Sequence, residues 1–445
     1  MSVWNNVTEK LILPLSDRWL GNSVGRYLKF LLHSQKWSRS ELDNYQNLLL
    51  LRLLTHSFST VPYYNNLFES IGIKPSDIKT KSDLIKIPIT TKAAIKKNGQ
   101  DCFTSNSYPR VKTLPASSSG STGEPLFYRI SKEAYSMNIA ASLRGWYWMG
   151  YRLGDKYVKL SQNVRSSWVK RLQDIINRNL YLVSDPLDDD NFLKILASIE
   201  KYKPKIIRGY PDPLLFIAQF KKQHPEYGFI PLAIATTGNT LASETRKQIE
   251  DSFNCKIFDA YNCEGNSVVF ECPSHTCYHS TEEYGISEVL NENNEPITKG
   301  VGRLISTDLH NLAHPFIRYD TQDMVELDGS DCICGRKHIK ILRIIGRDND
   351  IIVARNGRKF IVHSFTGFFQ IDSSELNRSI DQFQIIKMKD GTIRLRLIVN
   401  NNYNNSVENH IRSYWDRQFD QPIQIELVDK IPLTASGKRR FIINE

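Results

Sequence analysis

The middle of the chain carries the feature that most constrains its fold. Between about residues 100 and 330, short β-branched or aromatic runs alternate with helix-forming stretches. "KYVKL" (156–160), "KIIRGY" (205–210), "LAIATTG" (232–238) and "KIFDAYN" (256–262) are the runs, and "LASETRKQIEDSF" (241–253) is one of the helices. Alternation of this kind builds βα units and a mainly parallel sheet, so the fold class is α/β. The pattern differs on both sides of this region. Residues 1–100 read mostly as helix, and "SRSELDNYQNLLLLRLL" sets Ser38 and Glu41 at capping-box spacing before a leucine-rich run. From about Gly346 a compact α+β unit begins. "FQIIKMKDGTIRLRLIV" reads as a hairpin around Asp390-Gly391, "SVENHIRSYWDRQF" as a helix and "IQIELV" as a strand.

At 445 residues the chain is too long for one ordinary core. Two domains are expected: a body over 1–346, with a helical start (1–100) and an α/β part (100–346), and a small mobile lid over 347–445. Composition places the chain with globular proteins, at 40% hydrophobic and 24% charged residues. The formal net charge is +10, but the basic residues are scattered and no stripe interleaves them with aromatics, which argues against nucleic acid. Seven cysteines, an odd number in a long chain, do not suggest a secreted disulfide framework. Glu9, Lys10, Asp17 and Arg18 interrupt the first twenty residues, so no secretory signal is expected. The most apolar run, "LLLLRLLTHSF" from Leu48, is too short to span a bilayer and contains Arg52. The expectation is a cytoplasmic protein without a transmembrane segment.

"SSSGSTGEPLFY" (117–128) stands apart from the rest. Glycines let backbone N–H groups turn toward an anion, and hydroxyls add donors. The spacing is not that of a Walker A loop, and no lysine follows Gly123. On its own such a loop is more often a surface turn. Its companions alter that balance. "TTGNTL" (236–241), "AYNCEG" (260–265), "IRYDTQDM" (317–324), "GRDNDIIVARNGRKF" (346–360) and "PLTASGKRRF" (432–441) follow it in order.

Together these six stretches resemble the phosphate loop, adenine segment, tyrosine–glutamate motif, Y-R-T-G-D motif, hinge and C-terminal lysine motif of adenylate-forming enzymes. That is the superfamily of acyl-CoA synthetases and adenylation domains. "LPLSDRWLGNSVGRYLKFLLHSQKW", "HSFSTVPYYNNLF" and "IPITTKAAIKK" are similar to its phenylacetate–CoA ligase-like branch, nearest the CapK-like proteins of capsule and surface-polysaccharide biosynthesis. The resemblance implies the adenylate-forming fold and an AMP-forming carboxylate ligase that uses ATP and Mg²⁺. Its partners would be a small carboxylic acid and an acyl acceptor, which could be CoA, a carrier protein or an amino sugar. A homodimer is among the assemblies open to it. The rival reading is a non-catalytic nucleotide-binding or assembly protein of a glycan-synthesis complex.

The same resemblance assigns roles. Ser118, Ser119, Gly120, Ser121, Thr122 and Gly123 would cradle the β- and γ-phosphates. Thr237, Gly238 and Asn239 would line the adenine pocket, Tyr261 beside Asn262 would stack on adenine, and Glu264 would hold Mg²⁺. Asp323 would bind the ribose hydroxyls with support from Arg347, and Lys438 would stabilise charge during adenylation. Trp146, Trp148, Tyr210 and Asn239 are candidates for the acid's pocket. Departures from the motifs are Asn349 at the usual hinge aspartate, Asp320 and Gln322 inside the Y-R-T-G-D match, and Cys263 beside Glu264.

One further cluster stands out. "ECPSHTCYH" holds Cys272, His275, Cys277 and His279, and "CICG" holds Cys332 and Cys334. Two short Cys/His clusters suit tetrahedral zinc. On the resemblance, a structural zinc would take Cys272, His279, Cys332 and Cys334.

Overall fold

The computed structural model describes residues 2–117, 126–161, 165, 167–184, 189–238, 240–263, 268–347, 352–355, 359–360, 374–388, 390–421, 423–432 and 441–445. The helical start forms as expected. Ser38 caps helix Arg39–Thr60, with its hydroxyl accepting from the Glu41 N–H while Glu41 accepts from the Ser38 N–H at 2.7 Å. Leu42, Leu50, Leu53 and Leu54 line the buried face of that helix. The helix stops at Val61, because Pro62 has no N–H to continue it and opens the next helix, Pro62–Ile71.

A hairpin of β1 (Thr113–Ser117) and β2 (Phe127–Ser131) follows, with Ser117 opposite Phe127. The central sheet has eleven strands. Its parallel half comprises β3 (Tyr157–Ser161), β4 (Asn179–Val183), β5 (Ile206–Gly209), β6 (Ala233–Thr237) and β7 (Lys256–Asn262), ordered β4-β3-β5-β6-β7. The other half is β8 (Val268–Glu271), β9 (Tyr278–Ser280), β10 (Gly285–Leu290), β11 (Gly300–Asp308), β12 (Tyr319–Leu327) and β13 (Lys340–Arg347), and all its pairings are antiparallel. The sheet is therefore mixed, not mainly parallel. Between β7 and β13 no helix is found among the described residues, and parallel neighbours need a crossover.

The antiparallel half curls. β12 lies four places from β7 in the sheet order, or roughly 19 Å on a flat sheet. Yet Tyr261 of β7 hydrogen-bonds Asp323 of β12. Val269, Val289, Leu304 and Val325 pack together in this half. Helix Lys132–Trp148 covers β8 so closely that a Cβ at Gly145 would lie 2.2 Å from the Phe270 ring, and no side chain fits there.

After β14 (Ile352–Val353) and β15 (Lys359–Phe360), a second sheet forms from β16 (Ile380–Lys387), β17 (Ile393–Val399), β18 (Ile423–Leu427) and β19 (Ile442–Asn444), ordered β18-β17-β16-β19. The β16–β17 hairpin turns at Asp390-Gly391, and Gly391 supplies the left-handed φ of 82°. Helix Asn405–Phe419, capped by Asn404, buries Val407, Ile411, Trp415 and Phe419 against that sheet. Among the described residues, no helix is long and apolar enough to cross a membrane.

Candidate active site and metal cluster

Parallel strands expose their C-terminal ends along one edge, where α/β proteins bind ligands. Here that edge carries Ser161 of β3, Gly209 closing β5 and Tyr210 after it, and Thr237 closing β6, around a cavity of about 300 Å³. Lys159, Arg165, Lys170, Tyr181 and Arg208 complete most of its wall. In the register of β6 and β7, Thr237 pairs with Ala260, so Tyr261 and Asn262 continue the same edge one strand over. Gly238 leaves β6 with a φ of 89°, a left-handed turn that suits glycine.

Tyr261 donates its hydroxyl hydrogen to Asp323 Oδ2 at 2.5 Å. Burial, and then the Asp323 charge, raises the Tyr261 phenol well above its ordinary value, so it stays a donor. Beneath this pair, the buried Asp259 accepts from Thr236 Oγ1 at 2.6 Å and from Tyr278 at 3.1 Å. Burial pushes its carboxyl up to about 7. The structure thus places Thr237, Gly238, Tyr261, Asn262 and Asp323 around one edge. Arg347 is the partner of Asp323 in the β12–β13 ladder. Ser118, Ser119, Gly120, Ser121, Thr122, Gly123, Asn239, Glu264, Asn349 and Lys438 lie outside the described residues. Among the candidates for the acid pocket, Tyr210 lines the cavity and Trp146 lies under Arg208, 5.6 Å from its guanidinium. Trp148 points elsewhere. It donates to Gln35, carries Arg336 over its ring and sits 6.1 Å from His279.

The Cys/His segments converge around β9, between β8 and β13 in the sheet. The ligand atoms of Cys272, Cys277, His279 and Cys332 all lie within 4.8 Å of one another, and all four residues are buried. Cys272 and Cys332 sulfurs are 3.7 Å apart, and those of Cys277 and Cys332 are 3.5 Å apart. Zn–S bonds of about 2.3 Å at tetrahedral angles would separate sulfurs by ~3.8 Å. Cys334 is 3.2 Å from His279 Nε2, so five donors surround four places. Cys277, which the resemblance left out, belongs to the compact quartet. His275 does not: its Nδ1 faces Glu271 at 3.2 Å. A hydrogen bond from Cys277 lowers the Cys272 thiol, while the same contact pushes Cys277 up. Packed thiols cannot all ionise without a cation, and the donor set fits zinc.

Residues 357–445 match the CapK C-terminal domain family. Protein CapK of Staphylococcus aureus is 26% identical over 398 residues, covering 85% of each chain. The phenylacetate–coenzyme A ligase of Thermus thermophilus is 25% identical over 378 residues, covering 80% of each. Among solved structures, 2-hydroxyisobutyryl-CoA ligase in complex with 2-HIB-AMP aligns with a TM-score of 0.73, at 17% identity over 93% of this chain and 91% of its own. The chain is thus similar to CapK and to phenylacetate–CoA ligases, and its fold is that of the adenylate-forming CoA ligases.

The departures in the Y-R-T-G-D match have a local account. Gln322 adopts a φ of 61° at the position where the motif carries glycine, so the backbone turn before Asp323 is kept at some cost in strain. Asp320 helps to hold that turn by accepting from the Gln322 N–H at 2.9 Å, and it pairs with Arg303 at 3.2 Å. Thr321 Oγ1 accepts from the Asp323 N–H at 3.1 Å and fixes the carboxylate-bearing residue.

Proposed function

We propose that this adenylate-forming protein converts a carboxylic acid and ATP into an acyl-adenylate and pyrophosphate, then passes the acyl group to an acceptor. The observation that carries this reading is the Tyr261–Asp323 pair at the strand edge beside the cavity. Asp323 would accept from the ribose hydroxyls, and Tyr261 would offer its ring to adenine. Thr237 and Gly238 would form the adjoining wall. The acid would enter the cavity with its carboxylate toward Thr237. There one carboxylate oxygen attacks the α-phosphorus as pyrophosphate leaves. Both reactants are anionic, so the barrier lies largely in charge and alignment. Magnesium held at Glu264 would supply charge neutralisation on the phosphates. CoA is the acceptor favoured by the ligase relatives, with a carrier protein or amino sugar as the alternatives. The CapK likeness favours a role in surface-polysaccharide synthesis.

The test is acid-dependent ATP–pyrophosphate exchange across a panel of carboxylic acids. Exchange is expected with at least one of them. Asp323→Ala should raise the KM for ATP about tenfold or more, the cost of losing a hydrogen bond to a charged group. ATP binding without exchange for any acid would favour the non-catalytic, assembly reading.

We also propose one structural zinc per chain, held by four of Cys272, Cys277, His279, Cys332 and Cys334. Elemental analysis of protein purified without added metal should give close to one zinc per chain, and a value near zero after gentle purification would refute it. Cys332→Ser should lower stability more than nucleotide affinity, because structural metal binding is coupled to folding.

A further inference from the structure

The cavity at the strand edge is cationic beyond what one reacting carboxylate requires. Lys159, Arg165, Lys170 and Arg208 all line it. Arg165 is accounted for: it makes two 2.9 Å hydrogen bonds to Asp174 and lies over the Tyr181 ring. Lys159 and Arg208 face aromatic rings instead, Tyr181 at 5.9 Å and Trp146 at 5.6 Å. Among the described residues neither has a carboxylate within ion-pair distance, because the nearby Asp174 is committed to Arg165 and Asn179. Burial, reinforced by Arg208 and Arg165, lowers the Lys159 ammonium to about 8, and burial lowers Arg208 as well. A ring offsets only part of a partly desolvated charge, so cations without a carboxylate partner are costly unless a ligand supplies the missing charge.

Their position separates them from the chemistry. The reacting carboxylate belongs near the end of β6, beside Tyr261. Arg208 is on β5 and its register partner Lys159 is on β3, one and two strands from β6 in the order β6-β5-β3-β4, and Arg165 meets Tyr181 of β4 beyond them. At about 4.8 Å per strand the pair lies roughly 5–10 Å from β6, more than one carboxylate can bridge. A cavity of about 300 Å³ holds a small molecule.

We infer that the acid taken by this site is a small molecule with a second anionic group, carboxylate or phosphate, seated between Lys159 and Arg208 on the β3 side of the cavity. This deepens the proposed acid activation and rests on it for the orientation of the ligand. The second charge pairs with the half-buried cations while the first faces the nucleotide edge, so the ligand spans the pocket in one direction. Monoanionic acids with apolar tails would leave both cations unpaired.

The full-length protein should be assayed by ATP–pyrophosphate exchange with phenylacetate, benzoate, succinate, glutarate, 2-phosphoglycolate and 3-phosphoglycerate, and by calorimetric binding of the same acids. The dicarboxylate and phosphate arms distinguish the two sources of charge. At least one dianionic acid is expected to exceed both monoanions about tenfold in kcat/KM. Lys159→Met and Arg208→Gln, each checked for folding by thermal melting, should each lower that value about thirtyfold or more. ATP affinity should stay within about twofold. Preference for a monoanion in the wild type, or no loss in either folded variant, overturns the inference and leaves acid activation standing. Loss of ATP affinity without loss of acid binding also overturns it, since the cations would then serve the triphosphate. Binding of a dianion that either folded variant abolishes, without exchange for any acid, supports the pocket assignment and removes the ligase reading. Binding of no dianion overturns the inference.

Discussion

Lys438→Ala is expected to slow acyl-adenylate formation by about 10²–10³-fold, the largest kinetic effect anticipated for this chain. The lysine ends "TASGK", a stretch of small residues near the C-terminus, and its role rests on the resemblance to the C-terminal motif of the superfamily. An ammonium between two anions acts most strongly as charge redistributes in the transition state. One such contact is worth roughly 3–4 kcal/mol. ATP binding should change little, because Tyr261 and Asp323 belong to the eleven-stranded sheet, far in the chain from Lys438. Transfer from a presynthesised adenylate should survive, since that half-reaction is expected to use a different placement of the C-terminal unit. The measurement is a comparison of variant and wild type in both half-reactions. Equal loss in both, or loss in neither, would remove Lys438 from the adenylation step.

What the sequence displayed was mostly local. The Ser38–Glu41 box, the Asp390-Gly391 turn and the runs that became β3, β5, β6 and β7 each depend on neighbours in the chain, and each formed where its residues suggest. Long-range pairing was not displayed. Nothing local in residues 268–347 says that those strands pair antiparallel and curl until Tyr261 meets Asp323. Cys277 was visible as a cysteine, but only the fold of β8 and β9 puts its sulfur beside that of Cys332. Trp148 read as a pocket aromatic, and its helix instead turns it toward Gln35 and Arg336. The cavity's cations do leave a mark in the sequence: Lys159 and Arg208 interrupt apolar runs within parallel strands, where a charge is expensive without a ligand. The "TEEYG" stretch (281–285) likewise carries two glutamates that the motifs do not explain, and the fold buries both.

Glu283 of that stretch should prove the costliest to strand. Its carboxylate accepts from Arg144 Nη1 at 2.7 Å and from Ser34 at 2.6 Å, and His338 Nε2 lies 3.1 Å away. Arg144 also donates to Thr281 at 3.2 Å, so the cluster ties helices Val24–Ser34 and Lys132–Trp148 to the chain entering β10. Arg144→Met is expected to destabilise the body by about 3–5 kcal/mol, because it leaves a buried carboxylate without its main counter-charge. Replacing both partners, Arg144→Met with Glu283→Leu, should recover most of that loss, since an apolar pair of similar volume carries no unpaired charge. The pH dependence gives an independent check. Burial alone would raise the Glu283 carboxyl, but Arg144 and then His338 override it and hold the group well below the usual carboxylate range. A depressed folded value means that the stabilisation is fully present above the unfolded value of about 4.3 and is lost as pH falls below it. Without Arg144 there is less to lose on that side. The gap between wild type and Arg144→Met, read from urea transitions, should therefore be widest near pH 7 and shrink on acidification below about pH 4. A gap that stayed constant would show that Arg144 acts through packing over Trp148, 5.4 Å from its guanidinium, and not through the charge on Glu283.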